Sequence, residues 1–85
     1  MTAAPQARQW HEPAEAHIDV RGLMPPKPLV SILRLLASVD HGTAVVAHLD
    51  RDPVMLYPEL AQIGWRAEIV AGDPGEVRLR LRRAG

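Results

Sequence analysis

The sequence predicts an α/β fold, specifically an α+β two-layer sandwich whose elements follow the order β-α-β-α-β-β. Alternating apolar and polar residues at Ile18–Arg21, and again at Glu76–Arg83, indicate half-buried strands. A nearly continuous apolar run at Thr43–Leu49 indicates a central strand, and an amphipathic helix lies between the first two strands. Right-handed crossovers would make the first strands parallel, so we expect a four-stranded mixed sheet with two helices on one face.

The segment before the first strand has no periodic pattern. Residues 1–15 are rich in alanine, proline, glutamine and charged side chains, which favours a disordered or loosely docked arm. We expect Trp10 to dock on its own domain or to stay exposed rather than to anchor a partner. Residues 16–85 are predicted to form a single domain, because no repeat or linker interrupts them.

An apolar stripe at the helical period predicts the first helix. Gly22 permits the positive φ of a turn before it, and prolines then stiffen the loop. Pro26 suits the first helical position, while Pro25 and Pro28 remove two more backbone donors, so this helix start is a poor anion site. The helix is expected to end at Asp40–Gly42, with Gly42 as its left-handed C-terminal cap. The residues predicted to face the core are Leu29, Ile32, Leu33, Leu36 and Val39.

The second helix has a weaker pattern. Asp52 is predicted to cap it with Pro53 as its first residue, and Pro58 should delay the regular helix to about Tyr57. Trp65–Val70 then forms a third strand before a dense turn sequence. Further predicted core residues are Val45, Leu49, Leu60, Ile63, Leu79 and Leu81.

Composition excludes several kinds of chemistry. The 85 residues include no cysteine and carry a formal net charge of zero. Disulfides, thiolate metal sites and cysteine nucleophiles are therefore excluded, and overall charge suggests neither a nucleic-acid nor a membrane partner. No apolar run approaches the roughly 20 residues of a membrane span, and the start of the chain lacks a signal peptide's apolar core. We expect a cytoplasmic protein without a cofactor.

The run DVRGLMPPKPL, residues 19–29, resembles the start of the TusA/SirA-like domains. A later DRDP sequence, a short helix and the strand sequence GWRAEI extend the resemblance over about residues 16–83. The chain resembles in particular the branch of that superfamily that is catalogued as a domain of unknown function and lacks the sulfur-carrying cysteine. The resemblance therefore covers nearly all of the predicted domain.

The sulfur carriers of this superfamily have the motif G-L-x-C-P-x-P at the start of the first helix, with a persulfide on the cysteine. Pro25 stands at the position of that cysteine, so the resemblance implies the fold without sulfur transfer. A helix start activates cysteine as a thiolate, and proline has no titratable group to replace it. The resemblance also implies the strand order 1-2-4-3 and a genomic association with hemerythrin-like, nitrogen-oxide or redox proteins. The residues that match the family pattern are Gly22, Leu23, Pro26, Pro28, Asp52 and Pro53.

One surface is a candidate binding site. The carboxyl ends of the two parallel strands should bring the proline-rich loop (Arg21–Pro28) beside an acidic turn (Asp50–Pro53). Ligands of open α/β sheets bind at this end of the strands. Asp19 and His48 would be neighbours if the strands align so that Arg21 faces Asp50. The simpler interpretation is that Asp50 and Asp52 cap the second helix while Arg21 pairs with one of them. The candidate site residues are Asp19, Arg21, Gly22, Met24, Pro25, Pro26, Lys27, Pro28, His48, Asp50, Arg51 and Asp52.

Other polar residues give weaker patterns. Histidines such as His11, His17 and His41 lack metal-ligand spacing, so surface or hydrogen-bonded histidines are expected rather than ligands. No catalytic carboxylate pair, Ser-His-Asp context or glycine-rich phosphate loop occurs, and we expect no enzyme. Arginines alternate along the last strand, with Arg66 and Glu68 nearby, as on a solvated face or an RNA-binding stripe. These arginines are Arg78, Arg80 and Arg82.

Three classes of function remain. The first, which we favour, is a non-catalytic binding or adaptor module that docks a protein partner through the Arg21–Pro28 loop and the Asp50–Pro53 turn. The second binds a metal or small ligand with Asp19, His48 and the acidic turn, in a redox or nitrogen-oxide context. The third binds nucleic acid through the arginine face of the last strand.

Overall fold

Five strands and two helices make up residues 7–85, the part of the chain that the computed structural model describes. The elements are β1 (Arg8–Glu12), β2 (Glu15–Asp19), α1 (Lys27–Ser38), β3 (Ala44–Leu49), α2 (Leu56–Gln62), β4 (Trp65–Val70) and β5 (Val77–Arg83). Neither helix in this part is long and apolar enough to cross a membrane. The α+β fold with two helices agrees with the prediction from sequence.

The sheet differs from the predicted four strands in order 1-2-4-3. It has five strands in the order β1-β2-β3-β5-β4, so that prediction is wrong. The additional strand, β1, comes from the segment interpreted as an arm and pairs antiparallel with β2. The turn that joins the two strands contains Ala14, whose φ is 64°. Residues 1–6 of that segment lie outside the described residues. An edge strand whose five residues are all exposed shows no apolar alternation, and this is why the sequence pattern misses β1.

The two faces of the sheet have different surroundings because successive side chains of a strand point to opposite sides. β2 and β3 run parallel, and β5 pairs antiparallel with both β3 and β4. Apolar side chains of the central strands, such as Ile18 and Val45, pack in one core with Ile32 of α1 and Leu60 of α2. The opposite side, called the open face below, carries Trp10, Glu12, Glu15, His17, Asp19, His48, Arg78 and Arg80.

Most of the predicted core positions are buried. Leu29 and Leu33 are partly buried against the core, and Leu35, expected at the edge of the helical stripe, is buried. Ile63 is 50% exposed because it lies at the C-terminal cap of α2, so its prediction as a core residue is wrong. The predicted residues that are buried are Ile32, Leu36, Val45, Leu49, Leu60, Leu79 and Leu81.

The ends of α1 differ slightly from the prediction. The helix starts at Lys27, so Pro26 is the N-cap residue rather than the first helical residue, and no side chain caps this end. Val39 is the C-cap residue, with an extended conformation. Gly42 has a φ of 86°, but it serves the turn between Asp40 and β3 rather than the helix end.

The start of α2 also differs. Met55 is the N-cap residue and Leu56 the first residue of the helix, so the prediction that Asp52 caps it and Pro53 opens it is wrong. The residues before the helix form a separate turn, in which the Leu56 N–H donates to the Pro53 carbonyl at 2.8 Å. Asp52 instead accepts a hydrogen bond from the Tyr57 hydroxyl at 2.6 Å. This bond ties the turn to the first residues of α2.

Candidate functional site

An apolar groove lies at the carboxyl ends of β2 and β3, on the side of the sheet that the helices cover. It has a volume of about 410 Å³ and opens between the proline-rich loop after β2 and the turn after β3. Its floor includes Val20, Leu49 and Ile32, which belong to the core. We call it the proline-loop groove; its other lining residues are Leu23, Pro25, Pro26, Pro28, Leu29, Asp50, Arg51, Asp52, Pro53, Val54, Met55 and Leu56.

Hydrogen bonds hold the two sides of the groove together. The backbone N–H of Gly22, whose φ is 81°, donates to Asp50 Oδ2 at 3.0 Å. Val20, two residues before Gly22, donates its N–H to the His48 carbonyl at 3.0 Å and so extends the β2–β3 pairing. Burial, together with the hydrogen bond to Asp52, raises the pKa of Tyr57 to about 12. The carboxylates of the acidic turn are therefore engaged in hydrogen bonds that hold the neighbouring loop and helix in place.

Large apolar side chains are exposed around this groove. Met55 lines it and is 74% exposed, and Val54 beside it is also exposed. Met24 is 74% exposed but lies outside the lining, as does the exposed Lys27. The rim is therefore more apolar than the sequence pattern of an acidic turn beside a charged loop suggested.

Asp19 lies on the open face, in a cluster of arginines. Its carboxylate accepts hydrogen bonds from Arg21 at 2.8 and 3.0 Å and from Arg8 at 2.9 Å. These bonds, the one from Arg21 foremost, hold the pKa of Asp19 well below its usual range and raise the pKa of Arg21. Arg21 thus pairs with Asp19 across a strand end, not with Asp50 or Asp52 as the simpler interpretation of the sequence held.

A chain of hydrogen bonds joins two histidines and a carboxylate on the open face. His17 Nδ1 lies 3.0 Å from His48 Nε2, and His48 Nδ1 lies 2.9 Å from Glu76 Oε2. The Glu76 side chain is 1% exposed. Arg78, which donates to Glu76 at 2.8 Å, is the main cause that lowers the pKa of Glu76 to about 2. Glu76 is therefore an ionised carboxylate at the buried end of the chain.

At its other end this chain reaches two carboxylates. His17 Nε2 lies 3.3 Å from Glu12 Oε1 and 3.5 Å from Glu15 Oε1. Trp10 covers the histidines, with its ring stacked on His17 at 5.0 Å and tilted against His48 at 5.2 Å. The edge strand β1 thus supplies both the cover and one carboxylate.

Two of the four arginines of β5, Arg78 and Arg80, contact carboxylates. Arg78 binds Glu76, which raises the pKa of Arg78. Arg80 donates to Glu15 at 3.1 Å and lies 3.8 Å from Glu68. Arg82 lies opposite Arg66 in the β4–β5 pairing, and both are exposed. Two of the three residues of the predicted arginine face are therefore held in ion pairs, and those of Arg80 reach β2 and β4.

Nine of the twelve predicted candidate residues divide between two sites, while Gly22, Met24 and Lys27 do not line the groove. Pro25, Pro26, Pro28, Asp50, Arg51 and Asp52 line the groove. Asp19, Arg21 and His48 belong to the open face; Asp19 is opposite His48 in register, but their side chains bond to other partners. The sequence interpretation missed Glu12, Glu15, His17 and Glu76. The alternation of Glu15, His17 and Asp19 with apolar residues was the available signal, and it required extending the first strand back to Glu15.

A family model described as an uncharacterized conserved protein, DUF2249, matches residues 17–83. The match includes both loops of the proline-loop groove, whereas β1 lies before its first residue. A search among curated proteins gave no match. With more than half of its residues in the match, the chain belongs to the DUF2249 family of uncharacterized conserved proteins.

Proposed function

We propose that this protein is a small non-catalytic binding module that docks a protein partner through the Arg21–Pro28 loop and the Asp50–Pro53 turn. The observation that carries the proposal is the apolar groove of about 410 Å³ between these two segments. Concave, mostly apolar sites with a few polar groups are the usual form of a binding pocket. The prolines also leave the loop little conformational freedom to lose on association, and such preorganisation favours affinity.

The chemistry of the rim suggests what kind of segment binds. Exposed methionine side chains adapt to varied apolar surfaces, and Met55 lines the groove. Asp50 and Asp52 already accept hydrogen bonds from Gly22 and Tyr57. Arg51, by contrast, has an 82% exposed side chain whose contact with Asp50 is long, at 3.9 Å. We therefore propose a partner segment that inserts apolar side chains and presents an acidic residue to Arg51.

We also propose that the domain is related to the TusA/SirA-like domains and works in the cytoplasm. The sequence GLMPPKP at residues 22–28 supports this relationship through its glycine, leucine and proline positions. A persulfide carrier is not part of the proposal, because the chain has no cysteine. Incubation with a cysteine desulfurase and radiolabelled cysteine should leave the chain unlabelled.

The other functions considered from sequence have less support. Arg78 and Arg80 are bound to carboxylates, which reduces the positive charge that they could offer a nucleic acid. The ligand set of Asp19, His48 and the acidic turn is not assembled, because its members lie on different faces of the sheet. Protein docking through the groove is therefore the function that we put forward.

The experiment is a quantitative affinity capture from the native host with matched variants. Met55→Asp places a charge in the groove, and Met24→Asp places one beside it. Ile63→Asp is the control, since Ile63 is half exposed but lies at the other end of α2, outside the groove. A photo-cross-linking residue at position 55 then identifies which bound protein touches the groove.

The proposal predicts that Met55→Asp releases the cross-linked partner, that Met24→Asp weakens its binding, and that Ile63→Asp retains it. Each variant should keep the wild-type circular dichroism spectrum, because all three side chains are exposed. Retention of every partner by Met55→Asp would refute the groove as the docking site. Release by exchanging Arg66 and Arg82 for glutamate, with Met55→Asp still bound, would favour the arginine face instead.

A further inference from the structure

We propose that Glu12, Glu15 and His17 form a binding site for a divalent transition-metal ion on the open face of the sheet, with Zn²⁺ as the test ion. This inference is independent of the groove, which lies on the other side of the sheet. The three side chains come from β1 and β2, which pair so that Glu12 lies opposite Glu15 in register. One ligand atom from each residue can be chosen so that all three lie within 4.8 Å of one another.

The two distances from His17 to the carboxylates fit a tetrahedral ion. Ligand atoms roughly 2.0–2.2 Å from a tetrahedral zinc ion stand roughly 3.3–3.6 Å apart. His17 Nε2 lies 3.3 Å from Glu12 Oε1 and 3.5 Å from Glu15 Oε1. Imidazole nitrogen and carboxylate oxygen are both zinc ligands, and three protein ligands leave a fourth position open.

A second observation is the state of the His17 side chain. His17 is 9% exposed, and its Nε2 atom is buried without a hydrogen-bond partner among the described residues. A buried polar atom in this state costs free energy unless something binds it. The atom points at the two carboxylates and not at a donor. A cation between them would satisfy all three groups.

With both imidazoles neutral, the hydrogen-bond chain behind His17 places the lone pair of its Nε2 toward the carboxylates. Glu76, held ionised by Arg78, can accept hydrogen bonds but not donate them. His48 Nδ1 must therefore carry the proton that it shares with Glu76, which makes Nε2 of a neutral His48 an acceptor. His17 Nδ1 then donates to His48, and the lone pair of His17 Nε2 is directed at Glu12 and Glu15.

This arrangement is the one that metal-binding histidines use. A metal-ligating imidazole donates its other N–H to an outer group that fixes its tautomer and ring orientation, and His48 backed by Glu76 has that role here. Glu15 is oriented in the same manner, since Arg80 binds its Oε2 at 3.1 Å and leaves Oε1 toward His17. The ring of Trp10, stacked on His17, holds the imidazole from one side.

The site is open to solvent through Glu12, whose side chain is 54% exposed. A divalent ion would neutralise the two carboxylates while the neutral imidazole completes the three protein ligands. The remaining coordination position would then be available to water or to a small ligand. The edge strand β1, which has no buried apolar side chain of its own, would thereby be fixed to β2 by the ion as well as by the sheet.

Calorimetric titration of the metal-free full chain with Zn²⁺ tests the proposal. We expect one equivalent of Zn²⁺ to bind, and Glu12→Gln to weaken binding at least about tenfold, the lower end of what even outer-shell changes cost. Because Glu12 is exposed, this variant should fold normally, as circular dichroism can check. His11→Ala is the matched control: His11 is an exposed histidine next to Glu12 and outside the three-residue cluster. It should change the affinity less than about twofold.

A second pair of variants tests the hydrogen-bond chain. Glu76→Gln should weaken Zn²⁺ binding about tenfold, because it loosens the tautomer of His48 without touching a ligand. Glu59→Gln, in α2, should leave the affinity unchanged. Failure of Zn²⁺ to bind, or equal losses in His11→Ala and Glu12→Gln, would overturn the proposal. Failure to bind would mean that a proton, not a metal ion, lies between His17 and the carboxylates. Equal losses would mean that exposed surface histidines bind the ion.

Discussion

The two faces of this sheet are built from the same strands but are stabilised in different ways. On the helix-covered face, apolar side chains such as Ile18 and Leu79 are fully buried, and the interactions are not directional. On the open face, buried polar groups such as Asp19, His48 and Glu76 each have specific partners at 2.8–3.0 Å. The first face tolerates approximate packing within its volume, whereas the second requires every hydrogen bond to be made.

This contrast separates the candidate binding sites from the residues that stabilise the fold. The groove is a gap at the end of the apolar face, where the core continues into exposed Met55. The cluster around His17 is a gap in the polar network, because the buried Nε2 atom has no hydrogen-bond partner among the described residues. Each candidate site is thus an exception on its own face: apolar surface left exposed on one, and a buried polar atom without a hydrogen bond on the other.

The largest effect should come from the helix-covered face. Leu36→Ala removes a side chain that is 1% exposed, and it should lower the free energy of unfolding by about 2–5 kcal/mol through lost burial and a cavity. Ile63→Ala, at a half-exposed position, should cost less than about 1 kcal/mol. Urea denaturation measures both. Equal losses in the two variants would mean that the core does not lie where the structure has it.

An intermediate effect is expected from the polar network. Glu76→Gln should lower the free energy of unfolding by about 2 kcal/mol at neutral pH. The lowering of the Glu76 pKa from 4.5 to about 2 corresponds to about 3 kcal/mol, of which the neutral glutamine keeps a part through its own hydrogen bonds. The groups that face Glu76 are Arg78 of β5, His48 of β3 and Arg21 from the loop after β2. Breaking this network removes charge-assisted hydrogen bonds that solvent does not replace.

The pH dependence of that difference has a definite direction. Since the pKa of Glu76 is lowered on folding, its stabilisation is fully present above pH 4.5 and is lost as the pH falls toward about 2. The wild type and Glu76→Gln should therefore converge in stability over this range. Urea denaturation at a series of pH values gives the comparison, and a gap that stays constant down to pH 2 would show that Glu76 acts by packing and not by charge.

The smallest effect should come from the cover of the open face. Trp10→Ala removes the ring stacked on His17 and should cost about 1 kcal/mol, while Trp10→Phe, which keeps a ring, should cost less. Hydrogen exchange of the β1 amides should speed up more in the alanine variant than in the phenylalanine variant. Unchanged exchange in both would mean that Trp10 does not hold β1 on the sheet.

Much of the helix-covered face could be predicted from the sequence because its signals are local. Apolar periodicity locates α1, β3 and β5, and residues such as Leu36 and Leu81 are buried as expected. Strand β1 could not be found in this way, since its residues are all exposed and its partner is the polar side of β2. The predicted strand number and order were wrong for that reason.

The candidate site was only partly accessible to sequence reasoning. The proline-rich loop and the acidic turn meet as the parallel strands predict, and Pro25 and Asp50 both line the groove. The His17 cluster depends on a pairing across β1 and β2 and on Glu76, which is 59 residues from His17 in the chain, a separation that no spacing rule detects. Asp52 shows the opposite error, because Asp-Pro suggests a helix cap and the helix begins later.

The measurement that tests the central claim most directly is the protonation of the His17 and His48 rings. Long-range ¹H–¹⁵N correlation spectra of the chain with one equivalent of Zn²⁺ distinguish protonated, unprotonated and metal-bound ring nitrogens. The account predicts that Nδ1 carries the proton in both rings and that Nε2 of His17 is the metal-bound nitrogen. A proton on Nε2 of His17 under these conditions, or a metal on its Nδ1, would contradict it.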